Sequence, residues 1–197
     1  MNKAVFLDRD GTVNAMVYNR DYGTVDSPAN PDEFELLPGV GEAIKRINEM
    51  GFLAFVISNQ PGIAKGKFTP KLLEVIDKKM GKELVQHGAH LDKIYYCLDH
   101  PEAVIKEYRK NSSYRKPEPG LLLKAAEEFK IDLASSYMIG DGLTDVQAGK
   151  RAGCKTILLG RVKCDLCKLM EDLKVKPGFI VPDLAEAVKL IEKLEGE

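Results

Sequence analysis

Short apolar runs rich in β-branched and aromatic residues recur at 4–7, 53–57, 94–97, 137–139, 156–159 and 179–181, and each reads as a strand. Within them the apolar positions are continuous rather than alternating, as in strands covered on both faces. Between the strands the period lengthens. Val40, Ala43, Ile44 and Ile47 share one face of a helix that stops at Gly51, and Leu72, Leu73, Ile76, Met80 and Leu84 do the same ahead of Gly88. Thr69-Pro70 opens the second of these with a capping hydroxyl and a proline at the first helical position, where the missing N–H has no partner to lose. Residues 121–129 and 184–194 read as further helices. This alternation predicts an α/β, doubly wound, Rossmann-like sheet, mainly parallel, with helices on both faces. The gaps after the first two strands are too short for a folded cap, so no separate cap domain is expected.

Two segments interrupt the pattern. Residues 14–35 and 99–114 are rich in turn formers and fall where a strand's carboxyl end should open, the edge at which doubly wound sheets hold ligands. At 197 residues the chain is read as a single domain spanning 1–197. Lys plus Arg number 29 against 30 Asp plus Glu, a balance that leaves no electrostatic footprint for nucleic acid or an anionic membrane, so any anion must be gripped locally. No run reaches the roughly 20 apolar residues of a membrane span, and a cytoplasmic protein, a monomer rather than an oligomer, is expected. Four cysteines, Cys97, Cys154, Cys164 and Cys167, are too sparse for a disulfide scaffold and read as free thiols.

The candidate chemistry sits at strand ends. Asp8-Arg9-Asp10-Gly11-Thr12 follows the first strand and delivers two carboxylates two positions apart, so that both can face one side of the sheet edge, with Gly11 free to turn the chain. Two acids in one place need a compensating charge: either their titrations split or a cation binds between them, and a hard divalent ion with oxygen ligands fits best. Ser58-Asn59-Gln60 follows the second strand, with a hydroxyl and backbone amides able to hold phosphate oxygens. Arg115-Lys116 places two cations just before a helix that Pro119 can start, and lysine suits a phosphate or a carboxylate pair. Gly140-Asp141-Gly142 brings a further acid to a strand end, and Asp145 has two open roles, capping the next helix or serving the metal.

Together these four signals resemble the haloacid dehalogenase superfamily of phosphohydrolases over residues 3–160. A closer resemblance, carried by Phe-Leu-Asp-Arg-Asp-Gly-Thr-Val-Asn, Ser-Asn-Gln-Pro-Gly-Ile-Ala-Lys-Gly, Ile-Tyr-Tyr-Cys and Arg-Lys-Pro, is to the D-glycero-D-manno-heptose 1,7-bisphosphate phosphatases and their histidinol-phosphatase relatives. The chain departs from them twice. Their zinc loop carries Cys-x-His and then Cys-x-Cys, where this chain has Cys97-x-Asp99 and Ser112-x-Tyr114, so zinc is not expected; and Gly142 stands where many have lysine.

The resemblance implies a Mg²⁺-dependent phosphomonoester hydrolase. Asp8 would be the nucleophile and form a phospho-aspartate, and Asp10 the acid and then the base. The metal would be held by Asp8, Asp10 through its backbone carbonyl, and Asp141. Ser58 and Lys116 would grip phosphate, with Asn59, Gln60 and Arg115 as further substrate contacts. The substrate would be a small phosphorylated metabolite, a sugar bisphosphate such as the heptose compound ahead of histidinol phosphate, with Tyr18, Arg20, Tyr22, Arg109 and Arg115 offering stacking and a second anion contact. Two rival readings come from the residues themselves. A receiver-like signalling module also accepts a phosphoryl group on Asp, but has no need of an acid two residues further on. Cys164-Asp165-Leu166-Cys167 has the form of a zinc or redox pair, though its spacing with Leu166, Leu169 and Met170 favours half-buried thiols.

Overall fold

The computed structural model describes residues 1–19, 24–160, 170 and 173–196. Its strands are β1 (Ala4–Leu7), β2 (Val17–Asn19), β3 (Thr24–Asp26), β4 (Leu53–Asn59), β5 (Lys93–Cys97), β6 (Tyr137–Gly140), β7 (Lys155–Leu159) and β8 (Phe179–Val181). Six of them form one parallel sheet in the order β5-β4-β1-β6-β7-β8, while β2 and β3 pair with each other as an antiparallel hairpin. The helices are α1 (Val40–Glu49), α2 (Pro61–Ala64), α3 (Pro70–Gln86), α4 (Gly120–Phe129), α5 (Leu143–Ala152) and α6 (Leu184–Glu195). The expected α/β doubly wound architecture is the one observed.

The unbroken apolar strands follow from what lies on each side. On β1, Val5 and Leu7 join a core with Ile44 and Ile47 of α1, Ile76 and Met80 of α3 and Val188 of α6. Ala4 and Phe6 join the opposite core with Leu121, Leu122 and Ala125 of α4 and Ala148 of α5. Every residue of β1 is therefore fully buried, whichever way it points. Phe6 stacks on Phe55 with ring centroids 5.5 Å apart, and Phe55 meets Phe129 of α4 edge-on at 4.9 Å. Local capping agrees with this packing: the Thr69 hydroxyl accepts from the Leu72 N–H to start α3, and Asp183 accepts from the Glu186 N–H to start α6. Among the described residues, no helix is long and apolar enough to cross a membrane.

From β1 the chain moves outward to β4 and β5, then returns to β6 on the other side of β1. The strand order reverses beside β1, so the crossovers on either side diverge and leave a crevice at the carboxyl ends of β1, β4 and β6. Two expected boundaries shift there. The second strand extends past 57 to Asn59, because β5 continues the ladder with Tyr96 opposite Ser58 and Cys97 opposite Asn59. Segment 14–35 is not merely a loop: it holds the β2–β3 hairpin and a 3₁₀ turn at Pro31–Glu33, capped by the Asn30 side chain.

The 99–114 segment is tied down by hydrogen bonds. His100 N–H donates to the Tyr108 carbonyl at 2.9 Å, Arg109 reaches the Ala103 and Val104 carbonyls, and Val104 and Ile105 both donate to Ala64 at the end of α2. Cys97 and Cys154 are free and buried; Cys164 and Cys167 lie outside the described residues.

Glu195, at the end of α6, fastens that helix back onto the first strand's entry and the sheet. Its carboxylate accepts from Lys3 Nζ at 2.5 Å, the Tyr137 hydroxyl at 2.8 Å and Lys155 Nζ at 3.2 Å. The Lys3 bond first, with Tyr137 and Lys155 adding to it, lowers the carboxyl from an ordinary 4.5 to about 2. A depressed folded-state value stabilises the fold above the unfolded value and loses that contribution as pH falls toward the folded one. Glu195→Gln is expected to lower the urea midpoint at pH 7, with the gap to the parent narrowing below pH 4.5. A gap that stays constant from pH 7 to pH 3 would contradict this.

Candidate active site

The chain leaves β1 still paired to β6, with the Asp8 N–H donating to the Ile139 carbonyl at 2.9 Å. It then turns tightly: Thr12, Val13 and Asn14 all donate to the Arg9 carbonyl, and Gly11 donates back to Asn14. Gly11 sits at φ +83°, and a Cβ there would lie 2.3 Å from Asp141 Oδ2, so only glycine admits both the turn and the approach of that carboxylate. Gly140 serves the same purpose on β6, where a Cβ would lie 2.3 Å from Asp145 Oδ2.

Lys116 enters the crevice from the segment before α4. Its ammonium is buried and lies 2.8 Å from Asp8 Oδ1, 2.5 Å from Asp145 Oδ1 and 2.8 Å from the Ile57 carbonyl. Loss of hydration alone would pull its pKa down, but Asp145 and Asp8 outweigh that and hold it charged. Asp145 is itself buried, and loss of hydration drives its carboxyl upward against the pull of Lys116. Its Oδ2 also accepts from the Gly142 N–H at 3.0 Å, so of its two open roles the capping of α5 is observed, while its other oxygen faces Lys116.

Asp8, Asp141 and Asp145 bring carboxylate oxygens within 4.8 Å of one another. Three acids face one ammonium, and at about 4 Å two like charges repel by roughly 4 kcal/mol at an effective dielectric of 20. Asp141 carries the consequence. Although the residue as a whole is exposed, its carboxyl tucks against Gly11 and is pushed up to about 6, first by loss of hydration and then by the charge of Asp8. Asp8 Oδ1 is buried with Lys116 as its partner, and the Asp10 carbonyl accepts no hydrogen bond among the described residues. Excess negative charge, oxygen donors only and acceptors left over are what a hard divalent cation requires, and the set fits Mg²⁺.

The Asp10 carboxylate is turned away from this cluster. Arg9 forks onto it with Nε and Nη2 3.1 and 3.0 Å from Oδ1, Asn14 Nδ2 adds a bond of 3.0 Å to Oδ1, and Ser27 Oγ and Gln60 Nε2 approach Oδ2 at 2.9 and 2.6 Å. Of the metal ligands read from the sequence, Asp8 and Asp141 are thus joined by carboxylate, whereas Asp10 could contribute only through its main chain.

The remaining expected site residues divide. Ser58 is buried at the end of β4, its hydroxyl 3.3 Å from Gln60 Nε2. Asn59 and Gln60, expected as substrate contacts, spend their amides on the protein: Asn59 pairs with both the N–H and the carbonyl of Lys116 at 3.0 Å, and Gln60 is fully buried against Asp10. Arg115 is half-buried, its pKa lowered by loss of hydration, with one bond to the Asp99 carbonyl at 3.3 Å. Arg109 is committed to backbone carbonyls and Tyr18 is exposed, while Arg20 and Tyr22 lie outside the described residues.

Sequence reasoning missed Arg9, Asn14, Ser27, Tyr96 and Asp77 as members of the site. Arg9 had one legible signal, a charge wedged between two acids at the end of a buried strand. For the others nothing local distinguishes them from surface polar residues.

The family profile described as HAD-hydrolase-like matches residues 113–187. The chain is 39% identical over 190 residues to the D-glycero-beta-D-manno-heptose-1,7-bisphosphate 7-phosphatase of Escherichia coli K12, covering 96% of this chain and 95% of that one. It is 42% identical to the protein of the same description from Salmonella typhi, with 96% and 97% covered. Among solved structures, a D,D-heptose 1,7-bisphosphate phosphatase from B. bronchiseptica, complexed with magnesium and phosphate, superposes with a TM-score of 0.79 at 31% identity, covering 98% of this chain and 99% of that one. A HAD-like phosphatase from Mesorhizobium loti gives the same TM-score at 33% identity, covering 98% and 87%. With near-complete coverage at these identities, and with an aspartate cluster fit for magnesium at the sheet's carboxyl edge, the chain belongs to the haloacid dehalogenase superfamily of Mg²⁺-dependent phosphatases, in the family of the heptose-bisphosphate phosphatases.

Proposed function

We propose that this enzyme hydrolyses one phosphate of a sugar bisphosphate, D-glycero-D-manno-heptose 1,7-bisphosphate or a close analogue, through a phospho-aspartate on Asp8. The observation that carries the reading is the buried Lys116 ammonium 2.8 Å from Asp8, in a cluster whose remaining negative charge a cation would balance. An Asp8 oxygen attacks phosphorus in line and the bond to the leaving sugar oxygen breaks, while that oxygen takes a proton from the Asp10 carboxyl. Water then attacks the phosphorus of the acyl-phosphate, gives its proton to Asp10, and the bond to Asp8 breaks to release phosphate.

Asp8 and Asp141, with the Asp10 carbonyl, would hold magnesium, which when bound neutralises charge between the nucleophile and the phosphate dianion. Lys116, 2.8 Å from Asp8 Oδ1, neutralises a further part of that charge and fixes Asp8. Ser58 lies at the strand end beside Lys116, placed to bind a phosphate oxygen, and Arg115 is the half-buried cation available to a second anion. Asn59 and Gln60 support the site through Lys116 and Asp10 rather than by touching substrate.

Asp8→Asn keeps the side chain's shape and removes its nucleophilic charge, so turnover is expected to fall below about a tenth of the parent's, one decade being about 1.4 kcal/mol of barrier. Retention of more than that in a steady-state assay would refute the assignment. Gly11→Ala places a methyl against Asp141 and strains a left-handed turn, so the Mg²⁺ concentration for half-maximal activity should rise about tenfold or more; an unchanged Mg²⁺ titration would remove Asp141 from the ligand set. Catalytic efficiencies for heptose and hexose bisphosphates, their monophosphates and histidinol phosphate test the substrate. A preference for histidinol phosphate, or a loss of no more than about twofold when the second phosphate is removed, would overturn the bisphosphate reading and leave the reaction class standing.

A further inference from the structure

Asp10 is held by a chain of contacts that runs away from the reacting atoms through β5 to helix α3. Arg9 is completely buried, yet it follows a strand whose other side chains are apolar. Besides its fork onto Asp10, its Nη1 donates to the Tyr96 hydroxyl at 3.4 Å, and its guanidinium lies 5.5 Å from the centre of the Tyr96 ring. Tyr96, in β5 opposite Ser58, donates its own hydroxyl to Asp77 Oδ1 on α3 at 2.5 Å. Burial keeps that phenol protonated, so it can donate to Asp77 and accept from Arg9 at once.

A guanidinium bound only to Asp10 would follow wherever that carboxylate moved. Bound also to Tyr96, which a helix anchors, it is a fixed point, and Asp10 is oriented by it. The two carboxylate oxygens are then unequal. Oδ1 is occupied by Arg9 and Asn14, both fully buried. Oδ2 is held by buried Gln60 at 2.6 Å and by Arg9 Nη2 at 3.3 Å, and it also receives Ser27 from the segment that follows β3, its one partner that is not fully buried.

We propose that Asp77, Tyr96 and Arg9 are positioning residues for proton transfer: they fix the Asp10 carboxylate so that Oδ2, the oxygen Ser27 reaches, faces the leaving oxygen. This rests on the role of Asp10 stated above. The alternative is that the three form an ion-pair network that serves stability alone, since breaking a buried charge pair destabilises a fold whatever its chemistry.

Leaving-group dependence separates the two. A sugar alkoxide needs a proton as its bond to phosphorus breaks, whereas p-nitrophenolate leaves without one, and kcat/KM reports the steps up to that cleavage. Arg9 variants risk misfolding, so the experiment uses Tyr96→Phe and Asp77→Asn in the full chain, with Asp10→Asn as reference and thermal unfolding recorded for each. The expected result for Tyr96→Phe and Asp77→Asn is a fall of about tenfold or more in kcat/KM for a hexose bisphosphate and of less than about threefold for p-nitrophenyl phosphate. Equal losses on both substrates, or no loss on either, would overturn the proposal. If Asp10→Asn splits the substrates and the other two variants do not, positioning fails and the role of Asp10 stands. If Asp10→Asn does not split them, both fail together.

Discussion

The ammonium of Lys116 lies between Asp8 and Asp145 and donates as well to the Ile57 carbonyl of strand β4, with almost no access to water. A buried cation is tolerable only where such partners replace its hydration, and a buried pair of carboxylates only where such a cation separates them. The three groups come from different parts of the chain: Asp8 from the end of β1, Asp145 from the first turn of α5, and Lys116 from the approach to α4. Their mutual need therefore fixes the relative placement of three βα junctions. Asn59 extends the constraint by gripping the backbone of Lys116 on both sides, and Gly140 by leaving room for Asp145 to come up against the strand.

One ammonium does not balance three acids. Asp141 is left crowded behind Gly11 with its carboxyl driven upward, and this residual charge makes the site a cation receptor rather than a finished salt bridge. The second acid of the Asp8-x-Asp10 pair escapes the crowding because Arg9 draws it to the other side of the turn. The motif thus separates its carboxylates into two environments, one shared with Lys116, Asp141 and Asp145, the other with Arg9, Asn14, Ser27 and Gln60. Two acids with different surroundings suit two different tasks in one reaction.

The 99–114 segment illustrates how a loop at such a site is held. Hydrogen bonds from Arg109, His100 and Arg115 to its backbone, and from Val104 and Ile105 to Ala64, fasten it beside the crevice. An arginine supplies several donors in a fixed fork, so one side chain can tie two carbonyls of a loop together. The arginine that looked available for substrate in the linear sequence is occupied in this way, while Arg115 keeps only one backbone bond.

By itself the sequence determined the six strands of the parallel sheet, helices α1, α3, α4 and α6, and the edge at which chemistry would gather, but not the β2–β3 hairpin. Apolar runs without alternation require two covering layers, and residues such as Asp8, Lys116 and Asp141 follow or precede those runs at positions where a parallel sheet opens. Only the tertiary structure decided who partners whom. Gln60 meets Asp10 across 50 residues and Arg9 meets Tyr96 across 87, and both contacts depend on β4 and β5 lying on the same side of β1. The periodicity of a strand says which face a side chain takes, and nothing about which strand lies beside it. For that reason Asn59 and Gln60 read as free amides at a strand end, and the link from Asp77 through Tyr96 to Arg9 left no local trace.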